Sequence, residues 1–382
     1  MIYVTVRRNP KEKQITWLDL FNHPEIQYND LVSDGPASTV TRVLEEPTPA
    51  LLSQINIPNM IECLQKFNEY HKELFETNKK EMYHHFCIPK KSGGLRPIDA
   101  PCDRLQNALQ ELKDILSDRF GVLYHTSGFA YIKGRCTVQQ VKKHQANESN
   151  WFYHTDASGF FPSTTLEFTM RMLKMIFPLS EICRVPEGYA ALEKAISLGF
   201  LNGGLPQGTK LSPYLTNVIS IPIDHRIFND LAHRHYVYTR YADDIHISCV
   251  QSFDPDKMTK YIEKVFREFG APWKLKPEKT HYGSRKGRNY MLGLCLNAEN
   301  KITVGHENKK LFKAMTTNLI MDWKNGKPWP PEDVQTYAGL LSYYKMVEKD
   351  YFKENIIAHF NQKFKVDLDQ VIKDMLESRT RF

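Results

Sequence analysis

The sequence predicts an α+β chain organised around antiparallel strand pairs, and three observations carry that prediction. Residues 237–240 and 245–249 are alternating runs rich in β-branched and aromatic residues, separated by Tyr241-Ala242-Asp243-Asp244, which is the pattern of a hairpin. Residues 86–98 repeat the pattern around Ser92-Gly93-Gly94. Stretches with apolar residues at helical spacing, such as residues 255–269, lie between and after the strand runs. No internal repeat or low-complexity tract interrupts this alternation.

From the N-terminus, residues 1–50 are broken by Asn9-Pro10, Asp34-Gly35-Pro36 and Pro47-Thr48-Pro49 and read as an irregular arm with one short helix. Met60, Ile61, Leu64, Phe67, Tyr70, His71 and Leu74 give residues 58–82 a helical spacing. Residues 1–85 therefore form an N-terminal extension, mostly helical or irregular. Pro101 and Asp103 open a helix with the stripe Leu105, Ala108, Leu109, Leu112, Ile115 and Leu116, and Gly121 ends it. Lys133-Gly134-Arg135 is a basic turn, and residues 151–156 are a strand that ends on the carboxylate of Asp156. Residues 165–176 and 187–198 are helical. Residues 203–208 form a glycine-rich loop, and Ser212-Pro213 starts a helix running to about Leu231. Residues 290–296 are an apolar strand, and residues 307–323, 331–348 and 350–376 are helical, basic and aromatic.

The 382 residues are 41% hydrophobic, enough for a packed core and too many for a disordered chain. The formal net charge is +7. Residues 1–85 hold 9 Lys/Arg against 12 Asp/Glu, so the whole basic excess lies beyond them, around the acidic motif. A basic surface around an acidic centre suits a polyanionic substrate such as nucleic acid. Seven scattered cysteines without a C-x-x-C pair indicate free thiols and a reducing cytoplasm. His84-His85 and His233/His235 lack partners at zinc spacing. The N-terminal apolar stretch is too short for a signal peptide, and no run approaches the ~20 residues of a membrane span, so no membrane partner is expected.

Taken alone, Asp243-Asp244 also fits a solvated turn. With Asp156 on a neighbouring strand, one sheet presents three carboxylates. Two-metal nucleotidyl transfer needs that arrangement, because cations ~3.5–4 Å apart repel unless several carboxylates surround them. On this reading Asp156 and Asp243 bridge two Mg²⁺ ions, with Mn²⁺ as the alternative. Asp244 is the weaker ligand, since neighbouring side chains on an extended chain diverge.

In chain order, the motifs are Arg96-Pro97 with Lys90 and Lys91, His154-Thr155-Asp156-Ala157-Ser158-Gly159-Phe160-Phe161, residues 204–217, Tyr241-Ala242-Asp243-Asp244, Pro277-Glu278-Lys279-Thr280 and Met291-Leu292-Gly293. Over residues 86–345 this succession resembles a reverse transcriptase, and the bacterial retron, group II intron and phage-defence types in particular. Met291-Leu292-Gly293 stands where retron enzymes carry Val-Thr-Gly, a departure from that subtype. The resemblance implies a right-hand polymerase: fingers over 86–155, an antiparallel-sheet palm over 156–296 with finger helices interleaved around 165–200, and a helical thumb over 297–382.

The resemblance also distributes roles. Asp156, Asp243, Asp244 and the Ala157 backbone hold metal. Lys279 protonates the leaving pyrophosphate, or is only a helix-end lysine. Lys90, Arg96, Phe161, Gln207 and Gly208 bind the deoxynucleoside triphosphate; Arg96 offers a bidentate fork, and Phe161 crowds a ribose 2′-hydroxyl, whereas Phe160 reads as core. Gly208 and its neighbours permit close backbone approach to a ligand. Lys133, Arg135, Tyr241, Gly293, Lys309 and Lys310 contact nucleic acid, and the lysines and tyrosines of the last helices suit phosphate and base or sugar contacts. Arg240 either neutralises the acids or touches primer. The implied partners are a structured non-coding RNA template, a DNA primer or product, deoxynucleoside triphosphates and a companion effector protein in antiphage defence. Alternatives are a template-independent or protein-primed DNA polymerase, a catalytically idle RNA-binding scaffold and a two-metal nuclease, the last disfavoured by the ordered motifs.

Overall fold

Both predicted hairpins form. The computed structural model describes residues 2–7, 39–44, 52, 55–90, 93–122, 124–287 and 289–377, the first two segments as backbone only. Strands β1 (Ile2–Arg7) and β2 (Thr39–Leu44) pair antiparallel, as do β3 (Tyr83–Pro89) and β4 (Leu95–Pro101). A further sheet has the order β6 (Val237–Tyr241), β7 (Asp244–Cys249), β5 (Trp151–Ser158), β8 (Lys274–Leu275), with β9 (His281–Ser284) also paired to β5. The β1–β2 pair lies where the sequence predicts helix or irregular chain; Thr and Val dominate β2, and such residues favour a pleated strand.

The described residues cluster into two units, one of residues 1–136 and 152–282 and one of residues 137–151 and 283–382. Residues 137–151, expected with the segment before them, thus group with the C-terminal helices. In the first unit one core gathers Leu64, Leu109, Met172, Leu192, Leu215, Ile227 and Ile262 from seven helices, with Tyr153, Tyr238, Ile245 and Ile247 from the sheet. Strand periodicity then decides the other face. Because Tyr153, Ala157, Ile245 and Ile247 point into this core, His154, Asp156, Asp244 and His246 lie on the opposite side of the sheet. The pairs Tyr241↔Asp244 and Thr239↔His246 add Tyr241 and Thr239 to that side and turn Tyr238 and Arg240 inward.

Inward-facing Arg240 meets Asp224, which is fully buried. Arg240 Nε and Nη2 donate to the Asp224 carboxylate at 2.9 and 2.8 Å, and Tyr238 Oη donates to it at 2.7 Å. Arg240 Nη1 donates to Asn217 Oδ1 at 3.2 Å and to the Ala242 carbonyl at 3.0 Å. Asp224 belongs to the helix Ile221–Ala232, which follows the helix Leu211–Ile219. The single helix expected from Ser212 to Leu231 breaks near Pro222, whose ring nitrogen has no hydrogen to donate.

The second unit carries β10 (Cys295–Leu296) paired with β11 (Ile302–Thr303) and the helices His306–Lys324, Pro331–Val347 and Leu368–Glu377. The strand predicted over 290–296 is mostly a tight turn. Met291 and Leu294 exchange backbone hydrogen bonds of 2.6 and 2.9 Å, and Leu292 and Gly293 both have positive φ, 52° and 82°. Two left-handed central residues are the type I′ hairpin geometry, which overrides the apolar alternation. The helix expected over 350–376 breaks at Lys365, also left-handed at φ 55°. Phe312, Tyr337 and Phe352 are core residues of this unit, Phe312 and Tyr337 stacked at 4.9 Å. All seven cysteines are free thiols. Among the described residues no helix is long and apolar enough to cross a membrane.

Removing one partner of a buried ion pair leaves an uncompensated charge, so Asp224→Ala is expected to lower stability by about 3–5 kcal/mol. The double variant Asp224→Leu/Arg240→Met should lose less. Urea unfolding measures both, and parent-like stability in Asp224→Ala contradicts the central role given to the pair.

Candidate active site

The acids are brought together by the turn between β6 and β7. The tip is Ala242-Asp243, not Asp243-Asp244: Tyr241 and Asp244 are the last paired residues, so Asp244 opens β7. Ala242 is the left-handed residue at φ 55°, a conformation expected of glycine or Asp rather than Ala. Its carbonyl is held by Arg240. Arg240 thus neither touches primer nor neutralises the acid cluster; it braces the turn that carries it.

The Asp243 carbonyl accepts from the Ala157 N–H at 2.9 Å, tying the tip to β5 beside Asp156. Ala157 also lies opposite Leu275 of β8. Asp156 is buried, and Lys276 and Lys279 both bond its carboxylate, Lys279 at 2.7 Å. A hydrogen bond between Thr155 and Thr280 side chains, 2.8 Å, fixes the short 3₁₀ turn Pro277–Lys279 against β5. Asp244 Oδ1 lies 3.2 Å from His154 Nε2, and the His154 ring stacks on His246 at 4.6 Å.

Burial first, then the charges of Asp156 and Asp244, push the Asp243 carboxyl up to about 6. The hydrogen bond to Asp156, with the negative field of the cluster, raises Lys279 and keeps it protonated. The three predicted acids therefore share one electrostatic site. Their hard oxygen chemistry fits a divalent cation, and the excess of acid over base at Asp243 favours one. Among the described residues no three such side chains are already gathered as a ligand set, and Asp156 is clasped by two ammonium groups. A cation would take the place of those lysine contacts.

The other predicted residues divide. Phe160 is core, its ring tilted against that of Trp273, while Phe161 is only half-buried. Gly204 and Gly208 serve approach to the chain itself: a Cβ on Gly204 would lie 2.0 Å from the Pro162 carbonyl oxygen, and one on Gly208 2.7 Å from that of Asp99. The Gln207 carbonyl accepts from the Asp99 N–H at 2.7 Å, so the loop is fastened to β4. Lys90 and Arg96 are exposed on the β3–β4 hairpin, and Lys91 lies outside the described residues. Lys133 and Lys310 are exposed. Arg135, by contrast, donates to the carbonyls of His125 and Gly128 and braces a loop. Lys309 is drawn in by Glu348 at 2.6 Å and by the Tyr351 ring at 3.9 Å. Gly293 is an exposed turn glycine with open space around its Cα hydrogens. Sequence reasoning missed Lys276 and Asp224. Lys276 is three residues before Lys279, the spacing that aligns side chains on a 3₁₀ turn.

A family model described as "Reverse transcriptase (RNA-dependent DNA polymerase)" matches residues 88–300. The chain is 24% identical over 299 residues to the Retron Ec83 reverse transcriptase of Escherichia coli, covering 75% of this chain and 89% of that one. It is 22% identical over 293 residues to the Retron Mx162 reverse transcriptase of Myxococcus xanthus, covering 72% and 59%. A solved telomerase from Candida albicans, in complex with a fragment of telomeric RNA, aligns over 95% of this chain and 69% of that one at 10% identity and a TM-score of 0.44.

Asp243 is ionised in the unfolded chain above its ordinary 3.8 but in the folded chain only above about 6. The stability it lends when protonated is therefore lost as pH rises through 6. Asp243→Asn is expected to stabilise the fold at pH 7.5, by up to about 3 kcal/mol, with the gain shrinking towards pH 4. Thermal melts of both proteins across that range check it; a gain independent of pH contradicts it.

Proposed function

The chain belongs to the reverse transcriptase family, the RNA-dependent DNA polymerases, and we propose that it makes DNA at Asp156, Asp243 and Asp244 with Mg²⁺ in a two-metal site. Family membership implies dependence on a divalent cation; the choice of Mg²⁺ rests on the all-carboxylate donor set. The observation that carries the assignment is the convergence of partly buried Asp243, in the β6–β7 turn, with Asp156 and Asp244. Asp156 and Asp243 would hold the ions, with Asp244 supporting. Bound there, divalent cations would lower the pKa of a primer 3′-hydroxyl and stabilise the departing pyrophosphate.

The chain's own groups do the rest. Lys279 Nζ, held protonated, would give a proton to the pyrophosphate. Arg96 and Lys90 offer donors to the triphosphate from the β3–β4 hairpin. Phe161 supplies the apolar wall at the sugar. The retron relatives support a dedicated structured RNA as template; the role we assign in phage defence, with a companion effector, rests on the resemblance of the motif order alone.

The test is extension of a DNA primer annealed to RNA, with deoxynucleoside triphosphates and MgCl₂. Metal stabilisation of several kcal/mol converts to a loss of about 10³-fold or more in Asp243→Asn, in a protein that still folds. Equal extension by variant and parent removes Asp243 from the site. Chelation with EDTA should abolish the parent's activity, and added Mg²⁺ should restore it.

A further inference from the structure

Tyr131 is exposed where its neighbours are not. Phe129 and Ala130 are buried, whereas Tyr131 is 60% exposed. Its φ of 57° lies in the left-handed region that residues with a Cβ rarely hold. Such strain persists only where the surroundings enforce it, and it concentrates at functional positions. The surroundings here do enforce it. Gly128 bridges Arg240 in parallel, with Arg240 N donating to the Ser127 carbonyl at 2.8 Å and Phe129 N to the Arg240 carbonyl at 2.9 Å. Asn217 Nδ2 donates to the Ala130 carbonyl at 2.9 Å. Arg135 closes the loop from the other side.

Arg240 leads into the turn of Asp243, and its backbone partner Phe129 lies two residues before Tyr131. Its hydroxyl end is desolvated and lies within the fields of Asp243, Tyr241, Arg96 and Asp244. Arg96 comes from the hairpin assigned to the triphosphate, and Asp243 from the acid cluster. An exposed aromatic ring near both Arg96 and the acid cluster suits contact with a nucleotide base or sugar.

We propose that Tyr131 is a wall of the incoming-nucleotide site, its ring packing on the deoxynucleotide that pairs with the template. This rests on the polymerase reading above. The experiment is steady-state incorporation by Tyr131→Phe, Tyr131→Ala and Tyr131→Gly, with binding of a labelled RNA–DNA primer–template measured in parallel. Tyr131→Phe keeps the ring and should hold KM for the nucleotide within about twofold. Tyr131→Ala and Tyr131→Gly should raise that KM by about 10–100-fold, the range of base stacking on an aromatic ring. Primer–template affinity should be unchanged. Tyr131→Gly relaxes the backbone and should melt no lower than the parent, which separates lost binding from lost folding. A parent-like KM in Tyr131→Ala overturns the assignment, as does a loss confined to primer–template affinity. A parent that extends no primer overturns the polymerase reading itself, and this assignment with it.

Discussion

One buried ion pair holds the geometry on which the chemistry stands. Arg240 is the inward residue of the strand that leads to Asp243, and its guanidinium reaches four acceptors from three places in the fold. Through Asp224 and Asn217 it joins two helices, and through the Ala242 carbonyl it joins the turn itself. Its own backbone clamps the loop before Tyr131. A planar guanidinium with five donors can do this; an ammonium cannot. Burial makes the arrangement costly to break and so fixes one position for the turn.

Around that fixed turn the charges are graded. Of the three clustered acids Asp156 is the most buried, and it is matched by two lysines. Asp244 is more open and faces an imidazole. Asp243 is desolvated, flanked by two acids, and carries the strain as a raised pKa. The site therefore concentrates its unfavourable electrostatics on the one carboxylate at the turn. Any cation bound near it relieves the repulsion most there.

Much of this was legible in the sequence because strands and helices leave periodic traces. The alternation in residues 237–249 and 151–156 gave the hairpin, the sheet and the shared side of Asp156 and Asp244. The helix over 255–269 matched its apolar spacing from end to end. What was not legible depends on contacts between distant residues. Arg240 could be read as serving primer or acids, because nothing near it in sequence announces Asp224. A trace did exist: Asp224 lies on the same stripe as Ile227 and Leu231, and an acid on an apolar stripe requires a buried partner. The turn at Leu292-Gly293 was hidden for another reason. Apolar residues on both sides imitate a strand, and only the backbone shows two left-handed residues in succession. Arg135 and Lys309 carry the charge of nucleic-acid ligands, yet carbonyls, a carboxylate and an aromatic ring of the chain itself hold them.

The two approach glycines have a mechanical consequence. Gly204 lets its loop lie on Pro162, just after the acid strand, and Gly208 lets the same loop lie on Asp99 of β4. The loop is a splice between the base of the β3–β4 hairpin and the strand bearing Asp156. The root of the hairpin is thereby fastened to a loop that also packs just after β5. Lys90 and Arg96 lie farther out on the hairpin than this fastening at Asp99, so the splice sets where their arm starts.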